Sequence, residues 1–242
     1  MKEKPVFSGI ICEFNPLHRG HQYLLTQAKS HSQGVICVMS GNWVQRGEPA
    51  ILSKFARAEA AVRCGADVVI ELPVSWACAP AERFAYGAVS LLHSLGCVEE
   101  LWFGSECGDA CLLEKLAQFL VSEDFQKALL PFLRTGISFA AARQKAVENT
   151  FGPQYAATLE SANNILGIEY CKALLRCQSK MKPKTIQRIG GQHDSMEEVL
   201  PHAILSASQL RQLLAQGQPL NGLIPGPSLE IISREMDGGR CP

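Results

Sequence analysis

The 242-residue sequence holds no internal repeat, no low-complexity segment and no apolar run near the roughly 18 residues that span a bilayer. Its first apolar run, Val6 to Cys12, is too short for a secretory leader and stops at Glu13, so no leader and no membrane segment are expected. No cysteine pair has C-x-x-C spacing, and Cys107 with Cys111 comes closest. The ten cysteines are scattered through apolar segments, where a free thiol acts as a small buried hydrophobe. A reduced, cytoplasmic protein is expected, with neither a disulfide framework nor a protein-held metal site. There is no excess of either charge: 23 Lys and Arg balance 23 Asp and Glu, which removes the overall basicity of a dedicated nucleic-acid binder and leaves room only for a local basic face. Disorder is excluded by 47% hydrophobic and 19% charged residues.

What is present alternates. Strand-like runs at Val6–Phe14, Gly34–Ser40, Asp67–Leu72, Glu100–Gly104 and Thr185–Ile189 are separated by helix-like runs at Gln22–Ser30, Ser53–Cys64, Ala81–Leu95 and Cys111–Phe119. Alternation of this kind predicts an α/β protein with a doubly wound, parallel five-stranded sheet, and the near-continuous apolarity of the strands predicts burial on both faces. Residues 123–164 read as added helices with a turn at Arg134-Thr135-Gly136, and Ile165–Cys177 as a further helix. After Leu214 the pattern fades, so 1–214 is expected to be one domain, and 215–242 the start of a truncated C-terminal region or a loose tail. In such sheets ligands bind beyond the carboxyl ends of the strands.

One of those ends carries Cys12-Glu13-Phe14-Asn15-Pro16-Leu17-His18-Arg19-Gly20-His21, running on through Gln22, Tyr23 and Leu24 into the first helix. A strand that turns into a helix offers free N–H groups and the positive helix end to a phosphate. His18 and His21 donate to phosphate oxygens as charge builds, and Gly20 allows close approach. This His-x-Gly-His pattern after a first strand is the signature of the nucleotidyltransferase superfamily. Ser206-Ala207-Ser208-Gln209-Leu210-Arg211 is a second constellation. Ser206 is the N-cap of a helix, Ser208 adds a hydroxyl, and Arg211 lies about one turn on, placed to neutralise phosphate. The loop Met39–Ala50 leaves the second strand at the same rim and is expected to line the substrate pocket, whereas Lys54 and Arg57 beyond it read as a solvated helix face. Asn163 and Asn164 either cap a helix or read ribose and base edges, and Arg188 ends the last strand.

Taken together, Ile11–His21, Met39–Leu72, Phe103–Glu106, Asn163–Tyr170, Ile186–Gly190 and Ser206–Arg211 closely resemble the bacterial tRNA(Met) cytidine acetate ligase family. Ser40-Gly41-Asn42-Trp43-Val44-Gln45-Arg46-Gly47-Glu48-Pro49-Ala50 and Asn163-Asn164-Ile165-Leu166-Gly167-Ile168-Glu169-Tyr170 are its most specific runs. Arg19 departs from the family's usual asparagine, and Ala162 from its usual proline. The resemblance implies that ATP activates acetate as acetyl-adenylate and that the acetyl group passes to N4 of the wobble cytidine of elongator tRNA(Met). It implies a catalytic set of His18, His21, Ser206, Ser208 and Arg211. ATP is then expected at Ile11–Leu24, Gly104, Asn163, Asn164, Arg188 and Ile189, with Mg²⁺ held by the phosphates. The family usually continues into a C-terminal region that helps hold tRNA. Within this chain Lys172, Arg176, Lys180, Lys182 and Lys184 are the local basic candidates for RNA. The superfamily motifs alone also fit a small-molecule nucleotidyltransferase, and a non-catalytic nucleotide- or RNA-binding module; oligomeric state is left open.

Overall fold

A computed structural model describes residues 6–188 and 205–241. Its five strands are β1 (Phe7–Cys12), β2 (Gly34–Ser40), β3 (Val68–Leu72), β4 (Val98–Ser105) and β5 (Lys182–Gln187). They form one sheet in the order β3-β2-β1-β4-β5, and every neighbouring pair is parallel. The connecting helices are α1 (Arg19–Ser30), α2 (Lys54–Arg63), α3 (Val74–Ala77) and α4 (Ala81–Ser94), followed by α5 (Ala110–Leu120), α6 (Glu123–Leu133), α7 (Phe139–Phe151), α8 (Pro153–Thr158) and α9 (Ala162–Arg176). Two more follow β5, α10 (Ala207–Ala215) and α11 (Gly226–Asp237).

Strand periodicity sorts the core into two layers. On β1 and β4, Ile11, Leu101 and Phe103 join Phe84, Leu92, Leu113 and Ile168 in a cluster under α4, α5 and α9. Ile10 and Trp102 point the other way, to Leu24, Leu25, Ala60, Leu210 and Ile231 under α1, α2, α10 and α11. The doubly wound expectation is met, and β1 with β4 marks the point where the strand order reverses.

Three expectations are revised. β3 is an edge strand, so Val68 and Glu71 are exposed rather than buried on both faces. β5 starts at Lys182, three residues before the expected Thr185, because Lys182-Pro183-Lys184 looks unlike a strand; at an edge, the missing N–H of proline costs no ladder bond. Helix α11 occupies part of the segment that had no legible pattern. Leu220, Ile224, Ile231 and Ile232 are buried in the same cluster as α1, and Arg63 and Glu59 of α2 pair with Glu230 (2.5 Å) and Arg234 (2.8 Å).

Candidate active site

A crevice of about 270 Å³ opens over the carboxyl ends of β1 and β4 and reaches both faces of the sheet. β1 ends at Cys12 because Phe14 takes a left-handed conformation (φ 47°), a costly one for a buried aromatic. That reversal sends the chain into α1 with His18 as the N-cap. His18 Nδ1 accepts the N–H groups of Gly20 (3.1 Å) and His21 (3.3 Å), while His21 Nδ1 accepts that of His18 (3.4 Å). The histidines therefore form the capping box of the helix they open. Their rings stack at 3.7 Å between centroids, with Phe14 edge-on to His21 at 5.1 Å. With Nδ1 accepting in each ring, the proton sits on Nε2. Burial, followed by the nearby positive charge of Arg188, pulls the His18 pKa down to about 4. Burial, then His18 and Arg188, also holds that of His21 well below its ordinary value, against a hydrogen bond with the Pro16 backbone. Both imidazoles are neutral at pH 7.

Three other elements close the mouth. Arg188, past β5, donates its N–H to Ser105 (2.9 Å) and lies across Gly104, where a Cβ would come within 3.2 Å of its side chain. Ser206 caps α10, accepting from Gln209 N–H at 3.3 Å. Arg211 donates to the Asn15 carbonyl at 2.8 Å, and Asn15 Oδ1 accepts from Ile51 N–H at 2.9 Å.

Of the residues singled out from sequence, the crevice is lined by Ile11, Cys12, Glu13, Phe14, Asn15, His18, Gly20, His21, Tyr23, Leu24, Gly104, Asn163, Arg188, Ser206 and Arg211. Pro16 and Leu17 are instead buried away from it, Arg19 and Gln22 sit half-buried outside it, and Ile189 lies outside the described residues. Ser208 is exposed, its hydroxyl 3.5 Å from that of Ser206. Asn164 is buried, and its Oδ1 accepts from Cys107 N–H (3.0 Å), so it braces the loop after β4 and does not face the crevice. Of the 39–50 loop, Gln45 and no other residue lines the crevice.

Arg57 is the largest correction. Expected on a solvated face, it is 1% exposed. Its guanidinium donates to the carbonyls of Glu13 (2.5 Å), Ser40 (3.1 Å), Leu52 (3.2 Å) and Gly41. Glu106, read from sequence only as part of the rim after the fourth strand, has a specific role: its carboxylate takes the N–H groups of Asn163 (3.3 Å) and Asn164 (2.8 Å) and the Asn163 amide (2.7 Å). Phe84, Leu166 and Tyr170 form a further wall of the crevice, contributed by α4 and α9.

The basic run is largely neutralised within the chain. Lys172 pairs with Glu169 (2.8 Å), Arg176 with Glu82 (2.6 Å) and Lys184 with Glu100 (3.8 Å). None of the ten cysteines is in a disulfide; Cys12, Cys37, Cys64 and Cys171 are buried, and Cys78 and Cys111 are exposed. Among the described residues no group of three or more His, Cys, Asp or Glu could hold a metal ion, and no helix is long and apolar enough to cross a membrane.

A doubly wound sheet with a histidine pair opening the helix after its first strand defines an α/β protein of nucleotidyltransferase type. A family model described as HIGH Nucleotidyl Transferase matches residues 6–241, and the chain belongs to this family. It is 45% identical over 217 residues to a tRNA(Met) cytidine acetate ligase of Clostridium perfringens, covering 85% of this chain and 54% of that protein. A protein of the same name from Caldanaerobacter subterraneus is 44% identical over 241 residues, covering 97% of this chain and 60% of that protein. The crystal structure of Thermotoga maritima TmcAL bound with alpha-thio ATP superposes with a TM-score of 0.89 at 38% identity, covering 98% of this chain and 57% of that one. Its apo form gives 0.90. The chain thus spans 54–60% of the length of these relatives.

Proposed function

We propose that this chain is an ATP-dependent acetate ligase that forms acetyl-adenylate and acetylates N4 of the wobble cytidine of elongator tRNA(Met), in the cytoplasm. The names of its relatives support this reading, and so does the alpha-thio ATP held by the Thermotoga maritima protein. The observation that carries it is the stacked, neutral His18–His21 pair at the N-terminus of α1, facing Arg188 and the start of α10 across one crevice.

An acetate oxygen attacks the α-phosphorus in line, and pyrophosphate leaves with the electrons of the broken P–O bond. The protein supplies no nucleophile, so positioning and charge stabilisation carry the rate. His18 and His21 each donate an Nε2–H to phosphate oxygens as charge develops. Being neutral, they keep Nδ1 free to accept the backbone N–H groups that fix the two rings, while Nε2 donates. Arg188 and Arg211 offset the triphosphate charge, and the Ser206 hydroxyl with the α10 N–H groups adds donors. Mg²⁺, when bound, would be held by the triphosphate and water rather than by these side chains and would supply charge neutralisation. ATP–pyrophosphate exchange with a panel of short carboxylates, with and without tRNA, tests the reading. Exchange that depends on acetate is expected. Exchange driven instead by a phosphorylated small molecule would make the chain a nucleotidyltransferase, and ATP binding without pyrophosphate release would make it a binding module.

A further inference from the structure

The crevice has two unlike halves. On the α1 side stand the histidines, Arg188, Arg211 and two helix N-termini, all suited to anions. On the α4–α9 side the lining is Phe84, Phe103, Leu166 and Tyr170, and Glu13, just past β1, is the carboxylate of the lining. Glu13 is held by one oxygen, which accepts the Gln45 N–H at 2.7 Å; the other has no hydrogen-bond partner among the described residues. Tyr170 is 3% exposed, packs 5.5 Å from the Phe103 ring, and its hydroxyl also has no partner among the described residues. Burial, with Cys12 and Glu13 adding to it, keeps that phenol protonated, so it is a donor.

A carboxylate here repels phosphate and free acetate. One free acceptor and one free donor at the edge of an aromatic wall match a flat base that has an exocyclic amine beside a bare ring nitrogen. We propose that the α4–α9 half of the crevice is the acceptor pocket for the cytosine that is acetylated. Glu13 accepts its N4–H, and Tyr170 donates to its N3. This deepens the ligase reading and rests on it. In the transfer step the N4 lone pair bonds to the acetyl carbon, and the C–O bond to AMP breaks. AMP leaves with that electron pair, and the N4 proton passes to the Glu13 carboxylate and then to solvent. Glu13 is thereby a catalytic residue of the second half-reaction.

The test uses the whole 242-residue chain. Acetate-dependent pyrophosphate exchange is compared with acetyl transfer to a synthetic anticodon stem-loop RNA bearing cytidine at the wobble position, and to the same RNA with uridine there. For Glu13→Gln, transfer is expected to fall about 10²-fold more than exchange, the scale of one general base. For Tyr170→Phe, which removes one oxygen and is the safer variant for folding, transfer is expected to fall about tenfold more than exchange, the scale of one hydrogen bond. The uridine RNA should stay unacetylated. Equal losses of exchange and transfer in both variants would place the pair on the adenine of ATP and overturn the proposal. So would wild-type exchange with no transfer at any RNA concentration, which would leave acetate activation standing. Absence of acetate-dependent exchange in the wild type would bring down the ligase reading itself.

Discussion

Two loops flank the mouth of the crevice, and opposite charges hold them. After β2, the chain is gathered by a cation: the buried Arg57 guanidinium collects carbonyls from the ends of β1 and β2 and from Leu52, just before α2. After β4, it is gathered by an anion: the Glu106 carboxylate sits on the start of α9 and collects N–H groups. Backbone polarity accounts for the contrast. Where a strand runs out, carbonyls lose their ladder partners; where a helix begins, N–H groups have none yet. The comparison also separates the helix starts. That of α9 is already occupied by a protein carboxylate, whereas those of α1 and α10 are capped by neutral side chains, His18 and Ser206, and keep their positive potential for a ligand. Anionic chemistry therefore belongs on the α1–α10 side.

Breaking the cationic brace should have the largest effect. Arg57→Met fills much of the space but leaves the carbonyls of Glu13, Ser40, Gly41 and Leu52 without their donor. A loss of about 3–5 kcal/mol is expected, the range for removing one partner from a buried, hydrogen-bonded charge. Urea denaturation measures it. A loss below 1 kcal/mol on the order of a surface change would mean that the loops hold themselves.

The next effect is on rate. His21→Ala should slow pyrophosphate exchange by about 10²-fold, the cost of one preorganised donor. Its KM for ATP should change much less, because the bond strengthens mainly as charge develops. A rise in KM with unchanged turnover would assign His21 to ground-state binding.

Much of this was legible in the sequence, for identifiable reasons. Parallel strands buried on both faces read as apolar runs, so β1, β2 and β4 were plain, whereas edge strand β5 was read from Thr185 on and its opening Lys182-Pro183-Lys184 was not. The His18–His21 spacing announces itself because one helical turn places both rings at the same helix start. Arg57 was misread because a lone arginine in an amphipathic run has the pattern of a surface residue. Only the fold brings Glu13, Ser40 and Gly41 around it. Glu106 lies 57 residues from Asn163, and no local pattern links a carboxylate to a helix start at that distance. Tyr170 reads as one more apolar position on α9, although it lines the crevice. Reach across the chain was invisible, whereas local periodicity and capping were not.

The histidine pair makes stability depend on pH. Folding lowers the His18 pKa from an ordinary 6.5 to about 4, so between these values the unfolded chain binds the proton and the native one does not. Stability from this group is complete above about pH 6.5 and is lost as pH falls toward 4, at up to about 1.4 kcal/mol per pH unit. His21 shifts in the same direction. Thermal melts from pH 7.5 down should therefore fall more steeply through this window than those of His18→Gln. Parallel profiles would mean that the pair is not held neutral by the fold.

The smallest effect sharpens the comparison from its anionic side. Glu106→Ala removes the carboxylate from the start of α9, where Ser161, the N-cap residue, makes no side-chain hydrogen bond of its own. Asn163 lines the crevice and Glu106 is half-buried, so water replaces the carboxylate at the freed Asn163 N–H. The cost is therefore that of an ordinary helix cap, about 1 kcal/mol, rather than that of an orphaned buried charge. Arg57 has no such recourse, because its carbonyl partners surround a side chain that solvent does not reach. Denaturation of the two variants under one set of conditions should give losses differing by about 2 kcal/mol or more. Equal losses would show that burial, and not the sign of the brace, fails to distinguish the two loops. The substitution should also leave the α9 N-terminus open to anions, so inorganic phosphate is expected to stabilise Glu106→Ala more than the wild type, by a shift in melting temperature that grows with phosphate concentration.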